Sequence, residues 1–228
     1  MDKNEERFVH LKKNLERISS EDSIFNYESG QRALLSLGQG NVREWLETLL
    51  PNTRLILEPK INGSYIGIQY INGKLKKAIN KNSEDITEKI KSLSTVPNEL
   101  VIKDRLEIVG VIYDERNTSK KSKKNEFLGL INTKTKKIDP KFCAFQILHC
   151  KINQFQILKE LKKLDFKVPQ SQFTNYISDI EIYLQCWREG KLFQNYPTSG
   201  IVIKVNSRKL QKYFGHNNLS ILWAYAIN

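Results

Sequence analysis

The stretch Leu57-Glu58-Pro59-Lys60-Ile61-Asn62-Gly63-Ser64 carries the strongest indication of how this chain folds. An apolar run precedes it and another follows over residues 65–71, so the pattern predicts a tight turn between two strands with Lys60 on it. Glu58 stands two residues before the lysine and Gly63 three residues after it. A turn exposes the amine, and a lysine amine becomes a nucleophile once it has lost its proton. The alternative is an ordinary solvent-facing turn lysine.

A second lysine, Lys204, interrupts the apolar segment Ile201-Val202-Ile203-Lys204-Val205. An unpaired ammonium inside an apolar strand is unfavourable, and an anionic ligand would offset that cost. The alternative is a lysine on an edge strand that faces solvent. Lys204 is therefore a candidate anion-binding residue.

The remaining pattern predicts an α+β fold with a mainly antiparallel sheet core and helices packed outside it. Asn72-Gly73 is the clearest hairpin signal, because both residues readily adopt positive φ. Ser178 is predicted to cap a helix that stops near Gly190. Residues 1–50 are expected to form a helical N-terminal extension and residues 51–228 the main domain. Strands are expected over residues 55–57, 65–71, 74–79, 105–113, 142–148, 201–205 and 222–227, and helices over residues 5–18, 42–49, 86–93, 155–164, 180–187 and 210–214.

Collinear motifs along most of the chain resemble those of one enzyme family. Residues 58–63 resemble the E-x-K-x-D-G motif of covalent nucleotidyltransferases. From about residue 31 to its end, the chain resembles the nucleotidyltransferase (adenylation) domain of NAD-dependent DNA ligases. The resemblance implies an ATP-grasp-like covalent nucleotidyltransferase fold for residues 51–228. Further similar segments are 34–37 (M-L-S-L in the family), 83–87 (G-E-D-I-T), 106–111 (L-E-V-R-G-E), 142–146 (F-F-C-Y-G) and 199–207 (D-G-V-V-I-K-V-N-S).

The resemblance also implies roles for individual residues. Lys60 would attack the α-phosphate of an adenylate donor and form a lysyl-AMP, and Lys204 would bind phosphate and stabilise negative charge in the transition state. Phe145 would stack on the adenine. The other residues expected to bind the donor are Glu58, Ser36, Leu37, Asn62 and Gly63. Leu37 and Phe145 are equally natural core residues, and Ser36 is an equally natural turn residue.

Four positions depart from the family's pattern. Asn62 replaces an aspartate beside the nucleophile, and Val111 replaces a glutamate that works close to the ribose and the catalytic metal. Ser199 replaces another aspartate, and Asn228 replaces a second phosphate-binding lysine. Loss of carboxylates weakens the binding of Mg²⁺, which active family members need. The departures therefore favour an inactive relative as a second interpretation.

The composition favours a polyanionic partner. The formal net charge is +12 and the sequence pI is about 9.5, which suits nucleic acid. The run Lys120-Lys121-Ser122-Lys123-Lys124 is either a phosphate-gripping loop or a solvated one. No apolar run reaches the roughly 18 residues of a membrane helix, so we expect a soluble, cytoplasmic protein with no membrane partner. The cysteines Cys143, Cys150 and Cys186 are expected to be reduced, buried thiols and not zinc ligands.

Three functions stay open at this point. The first is an adenylation domain of DNA-ligase type, active in DNA repair with NAD or ATP as the donor and nicked DNA or RNA as the acceptor. The second is an inactive ligase homologue that binds nucleotide or nucleic acid. The third is an ATP-dependent enzyme similar to RNA ligases. No segment resembles the DNA-encircling modules of complete ligases, so a partner protein is expected for nick sealing.

Overall fold

The computed structural model describes residues 6–16, 23–26, 34–38, 41–115, 140–217 and 220–228. Within these ranges the chain forms nine strands, six α-helices and one 3-10 turn at Ile24–Asn26. The strands are β1 (Ser36–Gly38), β2 (Leu55–Ile61), β3 (Ser64–Ile71), β4 (Lys74–Asn80), β5 (Leu106–Tyr113), β6 (Lys141–Ile147), β7 (Gln172–Thr174), β8 (Thr198–Val205) and β9 (Ser220–Ile227). The helices are α1 (Val9–Asn14), α2 (Val42–Glu47), α3 (Thr87–Lys91), α4 (Gln154–Lys163), α5 (Ile177–Arg188) and α6 (Arg208–Phe214).

The strands form two sheets. One has five strands in the order β1-β9-β8-β2-β7, and the other has four in the order β4-β3-β5-β6. Neighbouring strands are antiparallel except β1 and β9, which are parallel. The predicted α+β class, with antiparallel sheets and helices outside them, is confirmed.

The chain passes from one sheet to the other at Asn62 and Gly63. A Cβ at Gly63 would lie 2.1 Å from the carbonyl oxygen of Ile112, so only glycine fits this crossing. Lys60 was expected on the turn itself, and this is wrong: it lies within β2. β2 pairs with β8 as far as Ile61, and this pairing holds the segment around Lys60 extended. The pairing of β2 with β7 covers only its first three residues.

The hairpin between β3 and β4 is confirmed. Asn72 and Gly73 have φ values of 53° and 75°, and Ile71 pairs with Lys74. Two consecutive positive φ values give a turn whose twist matches that of the paired strands. This hairpin fixes the register of the four-stranded sheet next to the crossing.

Two predicted helix boundaries differ from the structure. The first helix was expected to run through Leu15, but it ends at Asn14, because Leu15 is extended and forms a β-bridge with Cys150. The predicted cap Ser178 lies inside α5, which begins one residue earlier. The N-cap residue is Tyr176, which has no side-chain cap, and the Thr174 hydroxyl accepts from the Tyr176 backbone N–H just before the helix. The stop at Gly190 is confirmed by its φ of 69°.

Part of the first 50 residues packs into the main body. Beside helices it contains β1, a strand that the sequence interpretation did not include. Trp45 of α2 stacks on Tyr225 of β9 with ring centroids 4.7 Å apart, and Leu11 of α1 is fully buried. The domain boundary at residue 50 stays a prediction. Among the described residues no helix is long and apolar enough to cross a membrane.

Alternation along the strands separates a core face from a site face in each sheet. In the four-stranded sheet, Ile66 and Ile112 join a buried cluster with Leu161 of α4, while Tyr65 and Val111 point to the opposite side. In the five-stranded sheet, residues such as Leu57 and Ile203 pack against α2 and α5. The even-numbered residues Glu58, Lys60, Val202 and Lys204 line a cleft instead.

Candidate nucleotide-binding cleft

The cleft lies between the site faces of the two sheets and holds about 380 Å³ of open space, including its solvent-filled mouth. β2 and β8 form one wall, β3, β5 and β6 form the other, and β1 contributes at the side. Its lining is mostly apolar with a few polar groups, as is typical of small-molecule sites. The lining residues are Leu37, Glu58, Pro59, Lys60, Ile61, Tyr65, Val111, Cys143, Phe145, Pro169, Val202 and Lys204.

Lys60 presents its amine at this cleft. Glu58 and Lys60 are two residues apart in one strand and therefore share a face. The Lys60 side chain is half-buried, and its Nζ donates to Oδ1 of Asn228, 2.6 Å away. The amine is thus held at the end of β2 and directed toward β9, in contact with the cleft.

Glu58 and Lys204 form a buried ion pair at the base of the cleft. Oε2 of Glu58 lies 2.6 Å from Nζ of Lys204, and the side chains are 3% and 4% exposed. Such a pair is maintained only because each charge neutralises the other, and removal of one partner is strongly destabilising. Lys204 is on a central strand, so the alternative of an edge-strand lysine that faces solvent is wrong.

Phe145 supplies an aromatic surface next to this pair. The Lys204 ammonium lies 4.7 Å from the centroid of the Phe145 ring, within cation–π range. Tyr65 packs edge-on against Phe145 with centroids 5.9 Å apart. Burial and the nearby Glu58 carboxylate raise the pKa of Tyr65 to about 12, so its phenol stays protonated at neutral pH. The two perpendicular rings give the cleft an apolar aromatic wall beside two charges.

Gln154 links Phe145 and Glu58 from the first turn of α4. Its Nε2 donates to the backbone carbonyl of Phe145 at 2.8 Å and lies 3.4 Å from Oε1 of Glu58. The side chain is fully buried. Gln154 therefore supports both residues without lining the cleft.

Ser36 and Leu37 enter the site from β1. Leu37 lines the cleft, whereas the Ser36 hydroxyl accepts from Nζ of Lys81 at 3.3 Å. Lys81 lies just after β4, so this contact joins the two sheets near the cleft. Asn62 and Gly63 form the crossing next to Ile61, and the Asn62 backbone N–H donates to the Pro197 carbonyl. Their binding roles, like those of Ser36 and Leu37, stay predictions.

The cleft holds little negative charge. Among its twelve lining residues Glu58 is the one carboxylate, and it is neutralised by Lys204. Val111 presents an apolar side chain that is 3% exposed. No three His, Cys, Asp or Glu side chains cluster as a metal site within the described part of the chain. The residues present therefore do not fit a divalent cation held by the protein, and we assign no metal-dependent step to them.

Glu107 does not replace the missing carboxylate at Val111. Glu107 lies four residues before Val111 in β5, where it pairs with Gln69 of β3. Its Oε1 accepts from Ser23, Gln69 and Arg105, with the Arg105 guanidinium 2.8 Å away. Glu107 is fully buried in this separate polar cluster.

Sequence reasoning assigned no site role to several residues that line or support the cleft, among them Tyr65, Cys143, Pro169 and Gln154. Tyr65 and Cys143 alternate with core residues in their strands, which signals that they face the other way, but not what they face. Burial raises the pKa of the Cys143 thiol well above its usual value, so the thiol is an apolar wall element. The lysine run 120–124 lies outside the described residues.

The fold and the cleft together define a class of protein. Two mainly antiparallel sheets are joined by a short crossing, with a lysine at the end of the strand before it, and a similar fold occurs in a solved ligase structure. A solved structure assigned as an ATP-dependent DNA ligase from Aquifex aeolicus superposes with a TM-score of 0.54 at 12% identity, over 90% of this chain and 59% of that one. At such low identity the likeness concerns the fold alone.

The family follows from the sequence comparisons. The family model described as the NAD-dependent DNA ligase adenylation domain matches residues 13–228. This chain therefore belongs to the NAD-dependent DNA ligase adenylation domain family. The DNA ligase of Metamycoplasma arthritidis is 28% identical over 233 residues, covering 87% of this chain and 35% of that protein. The DNA ligase of Christiangramia forsetii is 26% identical, covering 94% and 36%. The chain thus spans about a third of the length of these relatives.

Proposed function

We propose that this chain accepts an adenylyl group on Lys60 from a dinucleotide or nucleotide donor. The observation that carries the proposal is the position of the Lys60 amine at a cleft that also contains a buried cation and an aromatic wall. The Phe145 ring would stack on adenine, and Glu58 would accept a hydrogen bond from its amino group. Lys204 would attract the donor's phosphates, since an ammonium in a dry site interacts more strongly with an anion than one in water.

The reaction in this proposal is a nucleophilic displacement at the α-phosphorus. The Lys60 nitrogen, having lost its ammonium proton to solvent, forms a P–N bond with its lone pair. The pyrophosphate P–O bond breaks, and its electron pair leaves on the departing phosphate of nicotinamide mononucleotide when the donor is NAD. A proton is lost from the nitrogen to solvent, which gives a phosphoramidate link with a neutral nitrogen and one negative charge on the phosphate oxygens. Lys204 would stabilise the charge that builds on the phosphate oxygens.

The donor, acceptor and partners are parts of the same proposal. NAD is the preferred donor because the family is that of NAD-dependent ligases, and ATP is the alternative. Nicked DNA is the preferred acceptor because the relatives are DNA ligases. The net charge of +12 supports binding to nucleic acid. A partner protein and a cytoplasmic location also remain proposals.

Intact-protein mass spectrometry after incubation with NAD, and separately with ATP, tests this function. We expect wild type to gain one adenylyl group, and Lys60→Ala to gain none. The matched control is Lys76→Ala, because Lys76 is an exposed lysine on β4. Modification of Lys76→Ala should equal that of wild type. An adduct on Lys60→Ala would remove Lys60 from the reaction.

A second candidate function is nucleotide binding without covalent chemistry. It rests on Val111 and Asn62, which leave the cleft without the carboxylates of the family's pattern. Calorimetric titration with NAD and AMP separates the two functions. Saturable binding with no adduct over hours would favour the second, whereas a mass shift at Lys60 would favour the first.

A further inference from the structure

The hydrogen bond between Lys60 and Asn228 crosses a strand. Lys60 is on β2 and Asn228 follows β9, while β8 lies between these two strands. Nζ of Lys60 nevertheless lies 2.6 Å from Oδ1 of Asn228. The two residues are 168 positions apart in the chain, so the contact exists only because the five-stranded sheet brings them together.

Gly200 of β8 leaves room for the contact between Lys60 and Asn228. A Cβ at Gly200 would lie 1.9 Å from the Ile227 carbonyl oxygen and 3.0 Å from Oδ1 of Asn228. Its φ of 148° is also one that residues with a side chain rarely adopt. Any side chain here would displace the end of β9 and, with it, the Asn228 amide. The close approach is therefore a second feature that holds Asn228 against Lys60.

We propose that Asn228 is a positioning residue for the reactive amine, an inference that rests on the proposed function of Lys60. An amide oxygen only accepts hydrogen bonds, so Lys60 must direct an N–H toward Asn228. After the amine has lost its ammonium proton, the hydrogen bond to Asn228 still fixes one N–H, so the lone pair points away from Asn228. Holding the nitrogen in one orientation makes a reactive geometry more frequent, and such positioning is a major source of rate enhancement.

A charge introduced at position 228 should move the pH range in which Lys60 reacts. The wild-type asparagine accepts a hydrogen bond from Nζ but carries no net charge, so a charged replacement would add a Coulomb interaction that is absent now. A lysine here would disfavour the ammonium and move the reaction to lower pH, while an aspartate would favour it and move the reaction to higher pH. For two charges about 4 Å apart, we expect a shift of roughly one to three pH units in each direction, the smaller value for a pair fully in water and the larger for a pair at the protein surface.

The test compares Asn228→Asp, Asn228→Lys and Asn228→Ala with wild type. The rate of adduct formation with NAD is measured against pH, after circular dichroism has verified the fold of each variant. We expect the rate profile to move to higher pH in Asn228→Asp and to lower pH in Asn228→Lys, and a rate about 10-fold lower in Asn228→Ala. The matched control is Asn175→Asp at an exposed position between β7 and α5, which should leave the profile in place.

A second measurement does not depend on adenylation. A lysine-acylating reagent is applied at a series of pH values, and peptide mass spectrometry quantifies labelling of Lys60. The labelling profile should move to higher pH in Asn228→Asp. Unchanged labelling and rate profiles in all three variants would overturn the positioning role. A labelling profile that shifts as expected in Asn228→Asp, while wild type never gains an adenylyl group, would overturn the proposed function and leave the contact between Lys60 and Asn228 supported.

Discussion

Replacement of Lys204 by methionine would leave the Glu58 carboxylate buried without its counter-ion. In the folded protein the two side chains are 4% and 3% exposed and 2.6 Å apart. The nearest other donor to Glu58 is Gln154, whose amide is 3.4 Å away and already donates to the Phe145 carbonyl. Gln154 therefore offers only weak compensation. We expect Lys204→Met to lower the free energy of unfolding substantially.

The size of the loss follows from the burial of the pair. Breaking a buried ion pair by removing one partner typically costs about 3–5 kcal/mol, a large part of the roughly 5–15 kcal/mol by which domains are stable. Replacing both partners with apolar residues is often close to neutral. Glu58→Met combined with Lys204→Met should therefore recover most of the loss, since Gln154 keeps its bond to Phe145.

Urea unfolding at pH 7, followed by circular dichroism, measures these differences. The control is Lys91→Met, because Lys91 and Glu88 form an exposed pair on α3 and such pairs contribute little. Adenylation should stay reduced by at least about 10²–10³-fold in the double variant even though its stability has returned, because the phosphate-binding cation and the proposed adenine contact of Glu58 are both absent. A single variant destabilised by less than about 1 kcal/mol, or a double variant no more stable than the single one, would refute this reasoning.

Three further predictions concern the cleft and its ligands. The pKa of Tyr65 rises from 10.0 to about 12 in the folded state. The contribution of Tyr65 to stability is therefore complete below pH 10 and lost as the pH rises toward 12. Tyr65→Phe should make the free energy of unfolding, measured across this range, fall less steeply with pH. Val111→Glu combined with Asn62→Asp should accelerate adenylation of Lys60 only when Mg²⁺ is present. The time course of adduct formation measures this, and equal rates with and without Mg²⁺ in the double variant would contradict the prediction. Binding to nicked DNA should weaken steeply with salt, and neutralising the four lysines of residues 120–124 should reduce that dependence; an unchanged salt slope in a filter-binding titration would exclude this segment as a contact.

Local signals predicted much of the fold. Asn72-Gly73 identified the hairpin because its backbone conformation depends on those two residues alone. Gly190 marked the end of α5 for the same reason, and its φ is positive. The strand that carries Lys204 was found from its run of apolar residues. These features depend on residues that are neighbours in the chain, so a single sequence is enough to detect them.

Features that depend on distant pairing were missed. The sequence did not reveal that β2 and β3 belong to different sheets, since a tight turn looks alike whether it closes a hairpin or links two sheets. The strand β1 has three residues and owes its conformation to β9, so no local periodicity could indicate it. Tertiary pairing of this kind overrides intrinsic preference.

The same distinction applies to the site. The family motif pointed to Lys60, Glu58 and Lys204 separately, but the 2.6 Å bond between Glu58 and Lys204 joins residues 146 positions apart. Sequence reasoning had assigned an anionic ligand as the partner of Lys204, whereas in the structure Glu58 is its partner. Asn228 was interpreted only as a lost lysine, and its bond to Lys60 became visible from the sheet alone.

Reversal of the adduct by nicotinamide mononucleotide tests the central claim most directly. Wild-type protein is first incubated with NAD, and tandem mass spectrometry locates the adenylyl group on the peptide that contains Lys60. Nicotinamide mononucleotide or pyrophosphate is then added to separate portions of the purified adduct. We predict that nicotinamide mononucleotide restores the unmodified mass and forms NAD, while pyrophosphate does not. An adduct on another residue, or one that only pyrophosphate removes, would contradict NAD-dependent adenylation of Lys60.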